Sequence, residues 1–180
     1  MPRTRASAGG GGQLTYLNCL KGSIFTSDTN YTIGAADINW LSLLPFQAYR
    51  TITVSGMALA ILGGAPAGNV RMGIYRDNGD QPDGGVLLGE TGVGAPAAVG
   101  KFELALNAPV QLQQGLYWMA VLFSAVGLQC QAHSQREGRG GTLYARMVAH
   151  GFGALPNPCP VTAVWTVNET FTYLLVTSVP

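Results

Sequence analysis

The chain has 180 residues, of which 11% are charged and 47% hydrophobic, with a formal net charge of +1. This length suits one domain whose core needs no metal or disulfide, and the near-neutral balance excludes a surface built to bind nucleic acid. An ordinary soluble domain has about 25% charged residues, so a surface this weakly charged favours association with other proteins.

The chain opens with "MPRTRASAGGGG", which combines basic residues and glycines and lacks an apolar segment. It does not resemble a secretory signal, and we predict that residues 1–13 form an extended, flexible arm. Residues 14–180 are expected to form a single domain. The longest apolar runs are shorter than the about 20 residues of a membrane-spanning helix, so we expect no membrane partner.

Alternation of apolar with polar or small residues dominates after Leu14 and is typical of β-strands. The segment "AADINWLSLL" is the exception, because it is compatible with a short helix that ends at Pro45. In "TITVSGMALAIL" the alternation changes phase at Gly56, which predicts a bulge there. Further strands are predicted in "NVRMGIYR", "KFELAL", "TLYARMV" and "TFTYLLVTSV".

The segment "GLYWMAVLF" is apolar throughout, which predicts a central strand buried on both faces. Tyr117 and Trp118 should then fill opposite faces, as should Ile74 and Tyr75. Between the strands lie segments rich in Gly, Pro, Asn and Asp, such as "RDNGDQPDGG", "NAPVQLQQG" and "ALPNPCP", which predict turns. The fold class indicated is all-β, an antiparallel jelly-roll-like sandwich of about eight strands.

One stretch of the chain, from Val70 to Phe123, has a recognisable order of motifs. A strand ends in Gly-Ile-Tyr, an acidic turn leads to Pro82-Asp83-Gly84 and a short Leu-Leu-Gly-Glu strand, and a later turn feeds "LYWMAVLF". This order resembles the jelly-roll domains in structural proteins of tailed bacteriophages, which occur in fibres, baseplate appendages and capsid decorations. The resemblance implies a jelly-roll fold and a structural role, and its pattern carries no catalytic residues.

The acidic turn is the first candidate site. Counted from Asp77 as the first position of a helix-loop-helix calcium loop, the third position is Gly79 and the twelfth is Leu88, where ligands would be required. We therefore interpret the segment as a turn, with Asn78-Gly79 and Asp83-Gly84 at its corners. The alternative is an irregular cation site formed by Asp77, Asp80 and Asp83.

The chain has few cysteines and histidines that could serve as a catalytic pair or as zinc ligands. The three cysteines, Cys19, Cys130 and Cys159, have no CxxC spacing and suit a reducing compartment. Cys130 and His133 supply two zinc ligands where three or four are needed, so we interpret them as a buried strand-end cysteine and a loop histidine. A nucleophile–base pair remains open at this point, but no metal or cofactor is expected.

Aromatic and basic residues provide the remaining candidates. Trp118 and Trp165 belong to apolar or alternating segments and are expected in the core or at a sheet edge, whereas Trp40 is a candidate platform for a sugar ring. Arginine is favoured at protein interfaces, which makes four positions candidates for contact with a partner protein. These are Arg3 and Arg5 in the arm and Arg136 and Arg139 in a glycine-rich segment.

Together these observations favour a non-enzymatic structural protein of a tailed phage, synthesised in the cytoplasm of the host bacterium and located in the virion. We expect a capsid decoration protein or a head or tail appendage that contacts other virion proteins and forms a homo-oligomer, with a trimer as one option. The alternative is a carbohydrate-binding, receptor-recognition module of a tail fibre, whose partner is a host glycan. A third option, a small hydrolase, has only nine acidic residues from which to form an acid–base pair.

Overall fold

A computed structural model describes residues 15–17, 28–64, 68–133, 145–164, 169–170 and 173–178. Within these ranges every regular element is a β-strand, so the predicted all-β class is confirmed. The described residues contain no helix with the length and apolar character needed to cross a membrane. The predicted arm, residues 1–13, lies outside the described ranges.

Thirteen strands follow one another along the described chain. They are β1 (Thr15–Leu17), β2 (Asp28–Thr32), β3 (Trp40–Ala48), β4 (Ile52–Gly63), β5 (Val70–Arg76), β6 (Leu87–Glu90), β7 (Gly100–Leu112), β8 (Gly115–Phe123), β9 (Gln129–His133), β10 (Arg146–Ala149), β11 (Ala163–Val164), β12 (Glu169–Thr170) and β13 (Tyr173–Ser178). They form two antiparallel sheets. The front sheet contains β1, β2, β4, β7, β9, β12 and β13, and the back sheet contains β3, β5, β6, β8, β10 and β11.

The strands β2 to β9 have the connectivity of a jelly roll. Their order in the front sheet is β2-β9-β4-β7, and in the back sheet it is β3-β8-β5-β6. Successive strands alternate between the sheets, except that β5 and β6 are neighbours in the back sheet, so two Greek keys wrap around one core. The predicted jelly-roll-like sandwich of about eight strands is therefore confirmed for this part of the chain.

Strand β4 shows how the sequence positions side chains in the core. Ile52 and Val54 point inward, and after a register shift between Val54 and Gly56 the inward positions continue with Met57 and Leu59. The bulge predicted at Gly56 is confirmed. Without it, the two halves of the strand would present their apolar residues to opposite faces.

The space between the sheets holds the larger apolar cluster, which we call the inner core. Alternate residues of β3, β4, β5 and β8 supply most of it, together with side chains from β7 and β9. Its buried members are Ile33, Leu44, Phe46, Ala48, Ile52, Val54, Met57, Leu59, Ile61, Val70, Met72, Ile74, Leu106, Leu112, Tyr117, Met119, Val121, Phe123, Leu128 and Cys130. Both sheets contribute, as a sandwich requires.

The segment considered for a short helix is instead a turn followed by strand β3. Residues 35–37 form the turn, and β3 continues through Pro45, so the helical interpretation is wrong. Pro45 pairs with Trp118 of β8, while pairing with β10 on the other edge ends at Leu43. No described strand pairs with that edge beyond Leu43, and proline is tolerated where a strand has an open edge.

Strand β7 also extends further than the sequence indicated. The segment "NAPVQLQQG" was predicted as a turn, but β7 runs to Leu112, and Val110 pairs with Val54 of β4. Residues 106–109 lie between two paired halves, since the partner of Gly56 is Ala105. The Asn-Ala-Pro sequence therefore interrupts the ladder locally without ending the strand, as a bulge does.

Residues after β9 add to both sheets of the jelly roll. Strand β10 extends the back sheet beside β3, with β11 beside it, whereas β13 pairs with β4 and β12 with β9 in the front sheet. Between β10 and β11, residues 150–162 cross the outer face of the back sheet, and we call this segment the strap. The sequence "ALPNPCP", predicted as a turn, is the central part of the strap.

The strap covers a second apolar cluster, which we call the outer core. Trp118, Tyr75, Leu41, Leu43, Ala120 and Leu122 come from the back sheet, and Leu155 and Cys159 come from the strap. Residues of opposite parity along the same strands therefore fill two separate cores: Tyr117 lies in the inner core and Trp118 in the outer core, and likewise Ile74 and Tyr75. The prediction that β8 is buried on both faces is confirmed.

Candidate functional site

The acidic turn joins β5 to β6 and consists of residues 77–86. Gly79 and Asp80 have φ angles of 75° and 62°, so both occupy the left-handed region, as the central residues of a type I′ turn do. The second corner contains Gly84 with φ 72°, and the Gly85 N–H donates to the Pro82 carbonyl at 2.7 Å. The turn interpretation is confirmed, although the first left-handed pair is Gly79-Asp80 instead of Asn78-Gly79.

Asp77 links this turn to the outer core. Its Oδ1 accepts a hydrogen bond from the Trp118 indole Nε1 at 2.7 Å, and its Oδ2 accepts from the Asp80 N–H at 3.1 Å. Trp118 is fully buried, and a buried indole N–H needs an acceptor. The Asp77 carboxylate therefore accepts the hydrogen bond of the buried Trp118 indole and also the hydrogen bond that closes the turn.

Asp83 links the same turn to the strap. Its Oδ1 accepts hydrogen bonds from both the backbone N–H and the hydroxyl of Thr162. Beside it, the backbone of Cys159 donates to the Gly85 carbonyl at 2.9 Å and accepts from the Gly84 N–H at 2.8 Å. The second corner of the acidic turn is thus an anchoring point for the strap.

The proposed cation ligands do not converge on an empty position. The carboxylates of Asp77 and Asp83 accept hydrogen bonds from protein donors, and Asp80 is an exposed residue of the left-handed corner. Across the described ranges, no group of three or more His, Cys, Asp or Glu side chains is arranged to hold a metal ion. The geometry of the turn is explained by the fold that it supports.

The middle of the strap is held by Tyr75 of β5 and by residues of strand β6. The Tyr75 hydroxyl donates to the Pro156 carbonyl at 2.7 Å, and the Leu87 N–H donates to Asn157 Oδ1 at 3.1 Å. Glu90 accepts from the Leu155 N–H at 3.2 Å and pairs with Arg71 at 2.9 Å. These strap contacts were missed in the sequence, where the proline-rich segment indicated only a turn.

A signal for the strap was nevertheless present in the sequence. A strand that is apolar on both faces, as β8 is, requires a cover on each face, and the opposite sheet supplies only one. The second cover had to come from elsewhere in the chain. The identity of the covering segment depends on long-range contacts that no local pattern contains.

The surroundings of the two described cysteines bear on the nucleophile–base pair considered above. Cys130 is buried in the inner core, and burial raises the pKa of its thiol to about 12. Burial, followed by the charge of Asp83, raises the pKa of Cys159 to about 12 as well. A reactive cysteine needs a lowered pKa, so neither thiol is suited to nucleophilic attack near pH 7.

The backbone of His133 and the ring of His150 both take part in contacts that support the fold. His133 is the last residue of β9, where its backbone pairs with Asp28 of β2 and Glu169 of β12, so the loop interpretation is wrong. His150 begins the strap, and its Nε2 lies 2.9 Å from the Ala154 carbonyl, to which it donates in the Nε2–H tautomer. The histidine ring therefore closes the first turn of the strap.

The tryptophan and arginine candidates fall into two groups. Trp40 is half-buried at the first residue of β3, where it pairs with Ala149 of β10. Five further candidates lie outside the described residues. They are Trp165 and the four arginines proposed for partner contact, Arg3, Arg5, Arg136 and Arg139. Their roles remain predictions.

No protein-family model matches the chain, and no curated protein is significantly similar to it. Among the described residues, the carboxylates of Asp83 and Glu90 serve to attach the strap to the fold.

Proposed function

We propose that this chain is a non-enzymatic structural subunit of a tailed-phage virion, a capsid decoration protein or a head or tail appendage that binds other virion proteins. The observation that carries this proposal is the strand order, β2-β9-β4-β7 against β3-β8-β5-β6. Two Greek keys in this arrangement are typical of viral capsid and lectin jelly rolls. The sequence motifs between Val70 and Phe123 resemble the same class of phage proteins.

The use of the carboxylates supports a structural role. Asp77, Asp83 and Glu90 each accept hydrogen bonds that fasten the acidic turn or the strap to the rest of the fold. Acid–base catalysis needs a carboxyl group within reach of a substrate proton. In this chain the three carboxylates act as supports for the packed outer core.

The surface composition supports association with other proteins. The charged fraction is 11%, and several valines are prominently exposed, among them Val161 at 82% and Val99 at 67% of their full surface. Burying such residues against a partner removes apolar area from water, which stabilises by about 25 cal/mol per Å². A subunit of a symmetric assembly gains stability through this kind of extended contact and needs no pocket.

The proposal is tested by locating the protein and measuring its assembly state. We expect light scattering after size-exclusion chromatography to give a homo-oligomer, and antibody labelling in electron micrographs to place the chain on the phage particle. Deletion of Met1 to Gly12 should reduce incorporation into particles if the arm docks the subunit. A monomer that is absent from purified particles would refute the structural role.

Trp40 favours a second candidate, the receptor-binding module of a tail fibre. Trp40 is half-buried at the first residue of β3, and an aromatic side chain that is not fully buried can stack on a sugar. This candidate predicts binding to host surface glycans on an array and loss of that binding in Trp40→Ala. Particle labelling without glycan binding would favour the decoration or appendage role.

A further inference from the structure

One end of the sandwich carries almost no charge. Four connections meet there, since β2, β4, β6 and β8 end, and β3, β5, β7 and β9 begin, on that side of the two sheets. We call this end the neutral end, and its described residues are 33–39, 62–64, 68–69, 91–99 and 124–128. The one ionisable side chain among these residues is Asp37, whose carboxylate accepts hydrogen bonds from the Tyr31 hydroxyl and the Gly34 N–H. A partner that covers the neutral end therefore buries no charge that lacks a hydrogen-bonded counterpart.

Hydrogen bonds join the four connections of the neutral end into one surface. The backbones of Val70 and Gly94 exchange two hydrogen bonds, of 2.7 and 3.1 Å. The Asn69 N–H donates to the Ser124 hydroxyl at 2.7 Å, and the Asn69 carbonyl accepts from the Ser124 N–H at 3.0 Å. The connection from β2 to β3 is joined in the same way, because the backbone of Ile33 bonds to the segment between β8 and β9. A surface fixed by such bonds loses little conformational entropy when it binds a partner.

A shallow, mainly apolar depression lies on the neutral end beside an exposed valine. The depression is lined by Gly68, Asn69, Val70, Phe123, Ala125 and Leu128. Gly68 has a φ angle of 148°, and a Cβ atom there would lie 2.7 Å from Ala125 Cβ, so a side chain at this position would push the two loops apart. Val126 follows Ala125 directly and is 48% exposed. The neutral end therefore carries an apolar knob and an apolar depression next to each other.

Further exposed apolar side chains belong to the neutral end. They are Leu62, Val93 and Val99. Val93 is next to Gly94, which pairs with Val70 in the wall of the depression. Exposed apolar surface of this kind marks sites of association. A stable interface uses on the order of 20–30 residues on each side, and the four connections together are long enough to supply that number.

The opposite end of the sandwich has a different composition. Its segments are residues 49–51, 77–86 and 113–114, and they include the exposed Arg50 and Asp80. If the neutral end of one copy met this charged end of another, both charges would be buried against a surface that offers no ion-pair partner, which costs free energy. The charge distribution therefore disfavours a head-to-tail contact and favours a contact between two neutral ends.

We infer that the neutral ends of two copies pair about a twofold axis, so that Val126 of each copy enters the depression of the other. This inference rests on the homo-oligomer proposed above and assigns the surface through which it forms. A surface that carries a knob beside a depression is complementary to itself, and a twofold axis between the two features seats both knobs at once. A second copy thus supplies the uncharged, apolar counterpart that this surface requires. A lipid bilayer fits less well, because the described residues of the neutral end include none of the tryptophans, lysines or arginines that anchor proteins at membrane surfaces.

A charge placed on the knob tests this pairing. Val126→Glu brings a carboxylate into each depression, whereas Val86→Glu adds the same charge to an equally exposed valine, 49% exposed, at the charged end. Sedimentation equilibrium of the full chain measures the dissociation constant of the pair, and the melting temperature of each variant reports its folding. We expect Val126→Glu to weaken the pair by roughly 100-fold or more and Val86→Glu to leave it unchanged.

A cross-linking measurement keeps the inference testable even if Val126→Glu does not fold. The Val126→Cys and Asn69→Cys single variants, both in a Cys19→Ser background and one carrying a mass tag, are mixed 1:1 at low concentration, concentrated and oxidised. Tagged–untagged disulfides are expected, because Asn69 lines the depression that receives position 126 of the other copy. In the control mixture Val86→Cys replaces Val126→Cys, and no such disulfide is expected. Cross-linking that is absent, or equal in both mixtures, overturns the pairing.

The outcomes separate this inference from the proposed function. An oligomer that withstands Val126→Glu refutes the assigned surface and leaves the homo-oligomer and the structural role standing. A protein that is monomeric at every concentration, or an oligomer with an odd number of subunits, refutes the twofold pairing, and labelling of the chain on phage particles would still support the structural role. If the unaltered monomer binds particles or phosphatidylcholine–phosphatidylglycerol vesicles through Val126, the occupant is another virion protein or lipid, and the second copy is ruled out.

Discussion

The inner core and the outer core are built from the same strands and differ in what closes them. Leu44, Ile74 and Tyr117 face the front sheet, which covers the inner core with a regular, hydrogen-bonded surface. Leu43, Tyr75 and Trp118 stand next to them in sequence and face the strap, which has no ladder of its own over this surface. The outer core therefore depends on discrete polar anchors, whereas the inner core depends on sheet packing.

This difference implies two levels of stability within the β-sandwich. A segment held by a few apolar contacts and isolated hydrogen bonds can open without unfolding the sheets, because local opening requires only the loss of those contacts. The inner core opens only when the front sheet and the back sheet separate from each other.

Replacing the central aromatic residue of the outer core should have the largest effect. Trp118→Ala removes a fully buried side chain and leaves Asp77 without its indole donor, so we expect a loss of about 4 kcal/mol in the free energy of unfolding. Leu59→Ala in the inner core should cost about 3 kcal/mol. Urea titrations measure both values, and a cost below about 1 kcal/mol for Trp118→Ala would contradict the existence of a packed outer core.

Removing the polar anchor of the strap should have an intermediate effect. Asp83→Ala deletes the acceptor of two hydrogen bonds from Thr162, and we expect a loss of about 2 kcal/mol. Asp80→Asn is the matched control in the same turn, since asparagine also tolerates the left-handed φ of 62°, and it should change stability by less than about 0.5 kcal/mol.

The Asp80→Asn variant also tests the cation-site alternative. With the carboxylates engaged by protein donors, we expect calcium to leave the melting temperature of the unaltered protein unchanged. A calcium-dependent rise that disappears in Asp80→Asn would restore the interpretation of the turn as a metal site.

Two tyrosines offer a smaller, closely matched comparison. Tyr75 and Tyr117 both donate a hydroxyl hydrogen bond to a backbone carbonyl, at 2.7 Å to Pro156 and 3.0 Å to Gln113. Tyr75→Phe should cost about 1 kcal/mol, because its partner belongs to the strap, and Tyr117→Phe about 0.5 kcal/mol. Amide hydrogen exchange at Cys159 should accelerate only in Tyr75→Phe; equal acceleration in both variants would argue against a strap that opens independently.

Thiol labelling compares the two cores with the least disturbance of the fold. In a Cys19→Ser background at pH 8, Cys159 on the inner side of the strap should react at least ten-fold faster than Cys130 in the inner core, since its exposure needs only strap opening. Mass spectrometry after timed quenching measures both rates. Equal rates that follow global unfolding would show that the two cores open together.

The raised pKa values of these thiols also give a direction for the dependence of stability on pH. Because the pKa of each thiol is raised to about 12 in the folded state, the unfolded chain releases the proton first as pH increases. The stabilising contribution is therefore complete below pH 8.5 and is lost between about pH 9 and 12. Denaturant titrations from pH 8 to 11 should show this decline, reduced in Cys130→Ala and Cys159→Ala.

Several elements were predictable because their determinants are local. Alternation along "TITVSGMALAIL" identified β4 and its bulge at Gly56, and uniform apolarity identified β8 as a strand with two buried faces. Glycine and aspartate identified the turn after β5. In each case a period of two or a φ preference acts within a few residues, so the sequence contains the full physical cause.

Other elements were misread because their determinants are distant. Pro45 suggested the end of a helix, but its place in β3 depends on pairing with Trp118, and residues 106–109 suggested the end of β7, although Val54 pairs with the chain beyond them. The carboxylates of the acidic turn were considered as cation ligands, and their actual partners include Thr162, far along the chain.

The all-β class, the phase of each strong strand and the need for apolar cover on both faces of β8 follow from short segments, because side-chain alternation and turn chemistry are local properties. The segment that provides the second cover and the donors that bind the aspartates depend on folding, because they involve contacts between residues such as Tyr75 and Pro156 that are remote in the chain. Packing energy is gained only when residues remote in the chain come into contact, and the local sequence pattern does not specify which residues do so.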